Sequence, residues 1–178
     1  MSSTSSEADQ ARPAPASFHD GPAAAAVTAS ALALIVGRGA DDACATLSSE
    51  AIVRIRSGAD VIAARKQGRA IASAAGFSPS DLTIIATAIS EIARNIVEFA
   101  GEGAISIALL NDAGRRGVEI VAADSGPGIP DVGTAMLDGY STGGGLGIGL
   151  PGARRLMDEF DIQSAAGEGT TVTMRKWL

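Results

Sequence analysis

The stretch from residue 78 to residue 98, SPSDLTIIATAISEIARNIVE, specifies its local structure more completely than any other part of the chain. Ser78 is a typical N-cap residue, Pro79 fits the first helical position, and Asp81 stands where a capping box places an acidic side chain. Apolar side chains then recur at steps of three and four, which is the spacing of a helix with one buried face. These apolar residues are Leu82, Ile85, Ile89, Ile92 and Ile96. The stretch therefore predicts a capped amphipathic helix.

Two polar residues lie off the apolar face of this helix. Glu91 and Asn95 are four residues apart, so their side chains project from the same side about one turn from each other. A carboxylate can accept a proton from an attacking hydroxyl, and an amide carbonyl supplies the hard oxygen that Mg²⁺ prefers. The same pair is common on solvated helix faces, so it indicates a site only in combination with further motifs.

The segments that precede this helix predict a strand and a second helix. Residues 51–56 alternate in part between apolar and basic side chains, which indicates a strand that ends at Ser57 and Gly58. Apolar residues over 60–75 predict a helix, which Gly76 ends.

The segments that follow it predict a sheet. Residues 104–110 and 117–124 are strand-like and are joined by a polar turn over 111–116, which indicates a hairpin. A helix over 150–160 and short strands around Ile162 and over 170–177 complete the pattern. The predicted fold is an α/β (α+β) two-layer sandwich, with a mixed, mainly antiparallel sheet backed by helices.

The length of 178 residues suits one domain with an extension. Residues 1–47 are rich in Ala, Ser and Pro and show no period tied to a core, so we expect a disordered extension, and a domain over 48–178. Within the extension, residues 23–36 are apolar apart from Thr28 and Ser30. This run is shorter than the roughly 20 residues that span a bilayer. We therefore expect a tail segment or a short helix there and no membrane insertion.

The net charge and the number of cysteines limit which partners and which cellular compartment we expect. The net charge is -6 and the sequence pI is about 4.7, which argues against a nucleic-acid partner because phosphate backbones require clustered Lys and Arg. Cys44 is the only cysteine, so no disulfide can form within the chain, and we expect a reducing, cytoplasmic location.

A second motif begins where the predicted hairpin ends, with Asp124-Ser125-Gly126-Pro127-Gly128-Ile129. A carboxylate at a sheet end can accept the amino hydrogens of adenine, and two glycines allow the backbone to pass close to a ligand. An ordinary solvent turn is the alternative, because turns also favour Asp and Gly.

A third motif is the glycine-rich run over residues 141–150, STGGGLGIGL, which leads directly into the predicted helix. Free backbone amides in such a loop can wrap a triphosphate, and the positive end of the helix attracts negative charge. The candidate ligand-binding residues of the run are Thr142, Gly143, Gly144, Gly145, Leu146, Gly147, Ile148, Gly149 and Leu150. A flexible linker is the alternative, although three interleaved aliphatic residues are unusual for one. No Gly-Lys dipeptide occurs, so the run is not a P-loop.

In this order, the Glu-x-x-x-Asn, Asp-x-Gly-x-Gly and glycine-rich motifs resemble those of the GHKL class of ATPases and kinases. Longer runs, ISEIARNIVEFAGEG, DSGPGIPD, DGYSTGGGLGIGLPGARRLMDEF and GEGTTVTMRKWL, are similar to the RsbT-type serine kinases of stressosome partner switching. The resemblance extends from about residue 50 to residue 178. The chain departs from it at Gly143, where we expect Ser, and in its long N-terminal extension.

The resemblance implies roles for the residues of the first two motifs. Glu91 would be the general base, Asn95 the Mg²⁺ ligand and Asp124 the acceptor for adenine. Gly126 and Gly128 would form the floor of the nucleotide pocket.

It also implies roles further along the chain. Ile129 would complete the second motif at the pocket. Gly145, Gly147 and Gly149 would hold the phosphates, and Thr170 would support the hydrogen bonds on the adenine side. For Thr170 an ordinary strand position is the alternative.

The function implied by the resemblance is transfer of a phosphoryl group from Mg-ATP to a serine of a small STAS-domain antagonist. The freed kinase would then bind and activate a PP2C-type phosphatase in a sigma-factor stress circuit. One alternative is a non-catalytic, ATP-gated binding module of the anti-sigma type. Another is the catalytic fragment of a histidine kinase, although no helix with a candidate histidine precedes the domain.

Overall fold

The computed structural model describes residues 50–137 and 149–178. The predicted extension over 1–47 and residues Thr142 to Ile148 of the glycine-rich run lie outside these ranges.

One sheet of five strands forms in the described part of the chain. The strands are β1 (Glu50–Ile55), β2 (Gly103–Asp112), β3 (Arg115–Asp124), β4 (Glu159–Ala165) and β5 (Gly169–Trp177). Their spatial order is β1-β2-β3-β5-β4, and each neighbouring pair is antiparallel. The predicted mainly antiparallel sheet is confirmed, and no parallel pair occurs among the described strands.

Within residues 50–137 and 149–178, four α-helices and one π-helical turn accompany the sheet. They are α1 (Gly58–Ala75), α2 (Pro79–Asn95), the π-helical turn (Ile96–Ala100), α3 (Val132–Ala135) and α4 (Gly149–Leu156). Buried side chains of α1, α2 and α4 form a continuous core with one face of the sheet. The described elements therefore make the two-layer sandwich that the sequence predicts.

Helix α2 forms as its sequence predicts. The Ser78 hydroxyl oxygen accepts a hydrogen bond from the Asp81 amide at 3.2 Å, and the hydroxyl donates to the Asp81 carboxylate at 2.6 Å. All five residues of the predicted apolar face are buried, none more than 8% exposed. The capping hydrogen bond and the buried apolar face both stabilise α2. Glu91 and Asn95 therefore lie on a well-ordered helix.

The hairpin turn is shorter than predicted. Strands β2 and β3 continue to Asp112 and Arg115, so only Ala113 and Gly114 lie between them. Both have positive φ, 47° and 88°, as expected for a tight two-residue hairpin connection that matches strand twist. The sequence pattern places the polar residues 111, 112, 115 and 116 in the turn, although they belong to the two strands.

The predicted helix over 150–160 is also wrong at its end. Helix α4 stops at Leu156, and Phe160 lies in β4 opposite Met174 of β5. The Asp158 amide donates to the Arg175 carbonyl at 3.0 Å, and its carboxylate accepts from the Trp177 amide at 2.8 Å. Backbone pairing with β5 therefore outweighs continuation of the helix.

Candidate functional site

The register of the sheet places three polar residues side by side at one end. Asp124 on β3 pairs with Thr170 on β5, and Thr170 pairs with Ser164 on β4. Directly opposite residues point to the same face of a sheet. On each of these strands alternate residues belong to the core shared with the helices, so the row lies on the helix-covered face.

Ser164 connects this row to the loop that follows Asp124. Its hydroxyl oxygen accepts a hydrogen bond from the Ile129 amide at 2.8 Å, and its hydroxyl donates to the Gly169 carbonyl at 2.7 Å. The Thr170 hydroxyl lies 2.9 Å from the same oxygen. Ile129 and Thr170, two of the predicted ligand-binding residues, are thus held by one side chain.

Asp124 is the most constrained acid of the site. Its carboxylate accepts hydrogen bonds from the Gly126 amide at 2.9 Å and from the Thr170 amide. Burial raises the pKa of Asp124 because it disfavours the charged form, and the two amide hydrogen bonds only partly oppose this effect. The side chain is thus a partly buried acceptor at the end of a strand.

Glycines are required around Asp124 because the backbone passes too close for a side chain. A Cβ at Gly126 would lie 2.6 Å from the Cβ of Ala100. A Cβ at Gly128, where φ is +70°, would collide with the carbonyl oxygen of Ala165. Gly126 therefore allows the loop to pack closely against the π-helical turn, and Gly128 allows it to pack closely against the end of β4.

Glu91 lies in the last turns of α2 with only 13% of its side chain exposed. One carboxylate oxygen forms an ion pair with Arg94 at 3.0 Å, and the other accepts a hydrogen bond from the Gly149 amide at 3.2 Å. Asn95, half-buried, ends the helix one turn later, immediately before the π-helical turn. Such π-helical turns are frequent at functional sites.

The structure therefore brings the described parts of the three motifs together. The Gly149 amide joins the end of the glycine-rich run to Glu91, and the close approach of Gly126 to Ala100 joins the second motif to the turn after Asn95. Leu150, in contrast, is partly buried against the core, so packing accounts for it without a ligand. Residues Thr142 to Ile148 of the run lie outside the described ranges.

Four residues of the site were missed by the sequence analysis. Arg94 pairs with Glu91, Ser164 connects the row, and Gly103 and Gly169 lie against Asp124. A Cβ at Gly103 would lie 3.2 Å from the Cβ of Asp124, and one at Gly169 would collide with the Asp124 carbonyl oxygen. Gly103 and Gly169 each begin a strand directly after a turn, and this position could have identified them from the sequence as sites of close backbone contact. No feature of the sequence around Ser164 indicates its role.

The donor set fits an adenine nucleotide and its magnesium ion. A partly buried carboxylate, a neighbouring hydroxyl and a glycine-lined floor are suited to a flat, polar base. Among residues 50–137 and 149–178 there is no group of three His, Cys, Asp or Glu side chains that could hold a metal ion alone. Asn95 suits Mg²⁺ that is held mainly by phosphates and water, as is usual for this ion.

None of the helices in the described ranges is both long enough and apolar enough to cross a membrane.

The fold and the site define the class of protein. Residues 57–176 match the histidine kinase-like ATPase domain family, and the chain belongs to that family. It therefore contains an ATP-binding domain.

Within this class, the chain belongs to the RsbT-type serine/threonine-protein kinases. It is 52% identical over 132 residues to the serine/threonine-protein kinase RsbT of Bacillus subtilis, an alignment that covers 74% of this chain and 99% of that protein. The predicted enzyme class, a protein serine/threonine kinase, is confirmed.

Two further relatives of this chain are anti-sigma F factors. The anti-sigma F factors of Caldanaerobacter subterraneus and of a Thermoanaerobacter species are 33% and 30% identical, and each alignment covers 60% of this chain and 79% of the relative. The fold is shared with a solved Mycobacterium tuberculosis structure of RsbU and RsbW domains, with a TM-score of 0.52 and 24% identity. That match covers 72% of this chain and 32% of the solved chain.

Proposed function

We propose that this kinase phosphorylates a serine of a STAS-domain antagonist and then switches partners to activate a PP2C-type phosphatase in a stress circuit. The hydrogen bond from the Gly149 amide to the Glu91 carboxylate supports the phosphoryl-transfer step of this proposal. It puts the end of the glycine-rich run, which we assign to the phosphates, beside the carboxylate that we assign to the serine hydroxyl.

In the proposed reaction Glu91 acts as the general base. Its carboxylate takes the proton of the substrate hydroxyl as the serine oxygen forms a bond to the γ-phosphorus of ATP. The bond from that phosphorus to the β–γ bridging oxygen breaks, and ADP leaves with the electron pair. Arg94, whose guanidinium contacts one Glu91 oxygen, is a positioning residue that restricts the rotamers of the base.

We assign the adenine end of the site to the residues around Asp124. The carboxylate accepts from the adenine amino group, and Thr170 supports this contact from the neighbouring strand. Gly126, Gly128 and Ile129 form the floor, because their backbone is fixed by close contacts and by the hydrogen bond to Ser164.

The phosphate end is assigned to the glycine-rich run and the start of α4. Backbone amides of a glycine-rich run and the positive end of a helix attract the negative charge of phosphates. Mg²⁺, held by Asn95 together with the phosphates, would neutralise part of the same charge. We further propose a cytoplasmic location, where ATP is plentiful.

A phosphoryl-transfer assay tests the proposal. Purified protein is incubated with Mg-ATP and a STAS-domain antagonist, and acid-stable phosphoserine on the antagonist is measured. Glu91→Gln should abolish the transfer and keep ATP binding, because the amide has nearly the same shape but cannot take the proton. Glu98→Gln, an exposed acid two turns further on, is the matched control and should transfer at the parent rate.

The similarity to anti-sigma F factors favours a second candidate, an ATP-gated binding module without catalysis. This module would capture a sigma factor in the presence of ATP and leave an antagonist unphosphorylated. ATP binding by calorimetry, combined with an absence of phosphoserine from the parent protein, would replace the kinase proposal with this one.

A further inference from the structure

A second buried cluster lies on the sheet face that the described helices do not cover. Ala104 on β2 and Val121 and Ala123 on β3 form this cluster, with exposures of 0%, 6% and 0%. It is separate from the main core, and no residue of a described helix belongs to it. A buried group on this outer face indicates that something besides the described helices covers it.

The buried area extends along the same face of β2. Ser106, Ala108 and Leu110 follow Ala104 at every second position, and all three are buried. Side chains at alternate positions of a strand share one face. Most of these residues are small, so they make a flat surface on which a second layer can pack closely.

The rim of this outer face has exposed apolar and basic groups at β1. Ile52 is 41% exposed, and Arg54, two residues on, is exposed on the same face. Strand β1 is the edge of the sheet beside β2, and the chain enters the sheet there. The segment that precedes β1 therefore reaches the sheet at the strand next to β2, which carries Ala104 of the buried cluster.

We propose that residues 23–36 of the N-terminal extension pack against this outer face of β2 and β3. These residues are apolar apart from Thr28 and Ser30, so they match a surface of Ala, Val and Leu. Burial of apolar area on both partners stabilises the contact at about 25 cal/mol per Å².

The connection is long enough for this contact. Residues 37–49 separate the apolar segment from β1, and an extended chain of that length reaches roughly 45 Å at about 3.5 Å per residue. Neighbouring strands are about 4.8 Å apart, so β3 lies only about 10 Å from β1. The segment can therefore fold back over the sheet without strain in the connection.

The charges agree with the proposed contact. Residues 1–49 contain Glu7, Asp9, Asp20, Asp41 and Asp42 against Arg12 and Arg38, a net charge of 2 − 5 = −3. Asp41 and Asp42 fall in the connection, close in sequence to the edge strand that carries Arg54. The histidine kinase-like ATPase domain matches residues 57–176, so residues 23–36 lie outside that match.

Energy transfer from the lone tryptophan tests the contact in the full chain. Trp177 on β5 is the only tryptophan, and its ring lies against Gly117 of β3, on the outer face. Cys44→Ala combined with Ala29→Cys leaves one thiol, inside the proposed segment, for a dansyl acceptor. Transfer from Trp177 should be efficient in this protein and should fall to the level of the urea-unfolded chain when Val121→Lys is added.

Two further variants make the test specific. Ala108→Lys introduces the same charge at a smaller residue and should also abolish the transfer, and it replaces Val121→Lys if that protein does not fold. Gln163→Lys changes an exposed residue on β4 and should leave the transfer unchanged.

Three results would overturn the proposal. The first is transfer in the parent no higher than in the unfolded chain. The second is efficient transfer that neither lysine variant on β2 or β3 reduces. The third is transfer that falls when labelled protein is diluted into unlabelled protein, which would make a second copy the occupant of the face.

Discussion

At the scale of single residues, Asp124 shows a conflict between stability and binding. Its carboxylate is partly buried beside glycine backbone, where the charged form is poorly solvated, yet the adenine contact that we propose uses this carboxylate as its acceptor. We expect Asp124→Asn to keep one oxygen for the Gly126 amide and to leave the free energy of unfolding unchanged or higher. ATP affinity should fall at least tenfold, about 1.4 kcal/mol, as measured by calorimetry.

The pH dependence of this effect has a definite sign. The pKa of Asp124 is raised in the folded state above its ordinary value of 3.8, so the folded protein holds this proton more tightly than the unfolded chain. The destabilisation caused by ionising Asp124 is therefore absent below about pH 3.8 and grows as pH rises through the folded-state pKa. Urea unfolding at a series of pH values measures this effect, and Asp124→Asn should remove the part of the pH dependence that comes from Asp124. If the parent and Asp124→Asn have the same pH dependence of the free energy of unfolding, burial of Asp124 is not its cause.

Gly128 gives a second prediction at the residue scale. Gly128→Ala should destabilise the fold by roughly 3 kcal/mol, because left-handed backbone disfavours Ala and the new methyl group meets the Ala165 carbonyl. Gly167→Ala is the matched control, since Gly167 has φ of +82° and open space around it, and should cost only about 1 kcal/mol. Urea unfolding measures both, and equal losses would show that the close approach at Gly128 is unimportant.

At the scale of elements, the two long helices differ in how they begin. The Ser78 side chain caps α2 by accepting from the Asp81 amide, whereas Ser57 precedes α1 without a side-chain bond to a helix amide. Ser78→Ala should therefore lower the free energy of unfolding by about 1 kcal/mol, and Ser57→Ala by less. Urea midpoints compare the two variants. A larger loss from Ser57→Ala would mean that its bond to the Asp60 carboxylate matters more than a cap.

Elements whose signals are local could be predicted from the sequence. Helix α2 needed only its cap and its apolar spacing, and the antiparallel hairpin needed only two strand-like runs around a polar turn. The proximity of Glu91 and Asn95 followed from helix geometry alone. The functions assigned to these two residues remain predictions for the variants to test.

Features that depend on pairing between distant segments could not be predicted. The row of Asp124, Thr170 and Ser164 exists because three strands align in one register, and no short stretch of sequence contains that information. The end of α4 was missed because Phe160 suits either a helix or a strand until β5 is present to pair with it. Apolar residues over 60–75 predicted α1, but the apolar pattern alone does not show which of them are buried. Ile62, for example, is 68% exposed.

At the scale of the whole molecule, the proposed nucleotide site is assembled from segments far apart in the chain. Helix α2, the loop after β3, the start of α4 and the β4–β5 pair each contribute a contact, and unfolding any of them dismantles the site. A ligand that binds only the folded protein stabilises it by mass action. Mg-ATP at a hundredfold excess over its dissociation constant should therefore raise the free energy of unfolding by about 2.7 kcal/mol.

This linkage separates nucleotide binding from catalysis. Glu91→Gln should keep the full increase, because the proposed base contributes little to ATP binding. Asp124→Asn should lose about half of the increase or more at the same ATP concentration, because a tenfold weaker affinity leaves only about 1.4 kcal/mol. Urea unfolding with and without Mg-ATP measures the shift, and the slope of the transition should stay constant if the whole domain unfolds as one unit. An equal increase in the parent and in Asp124→Asn would contradict the role proposed for Asp124, because the increase at a fixed ATP concentration depends on the dissociation constant.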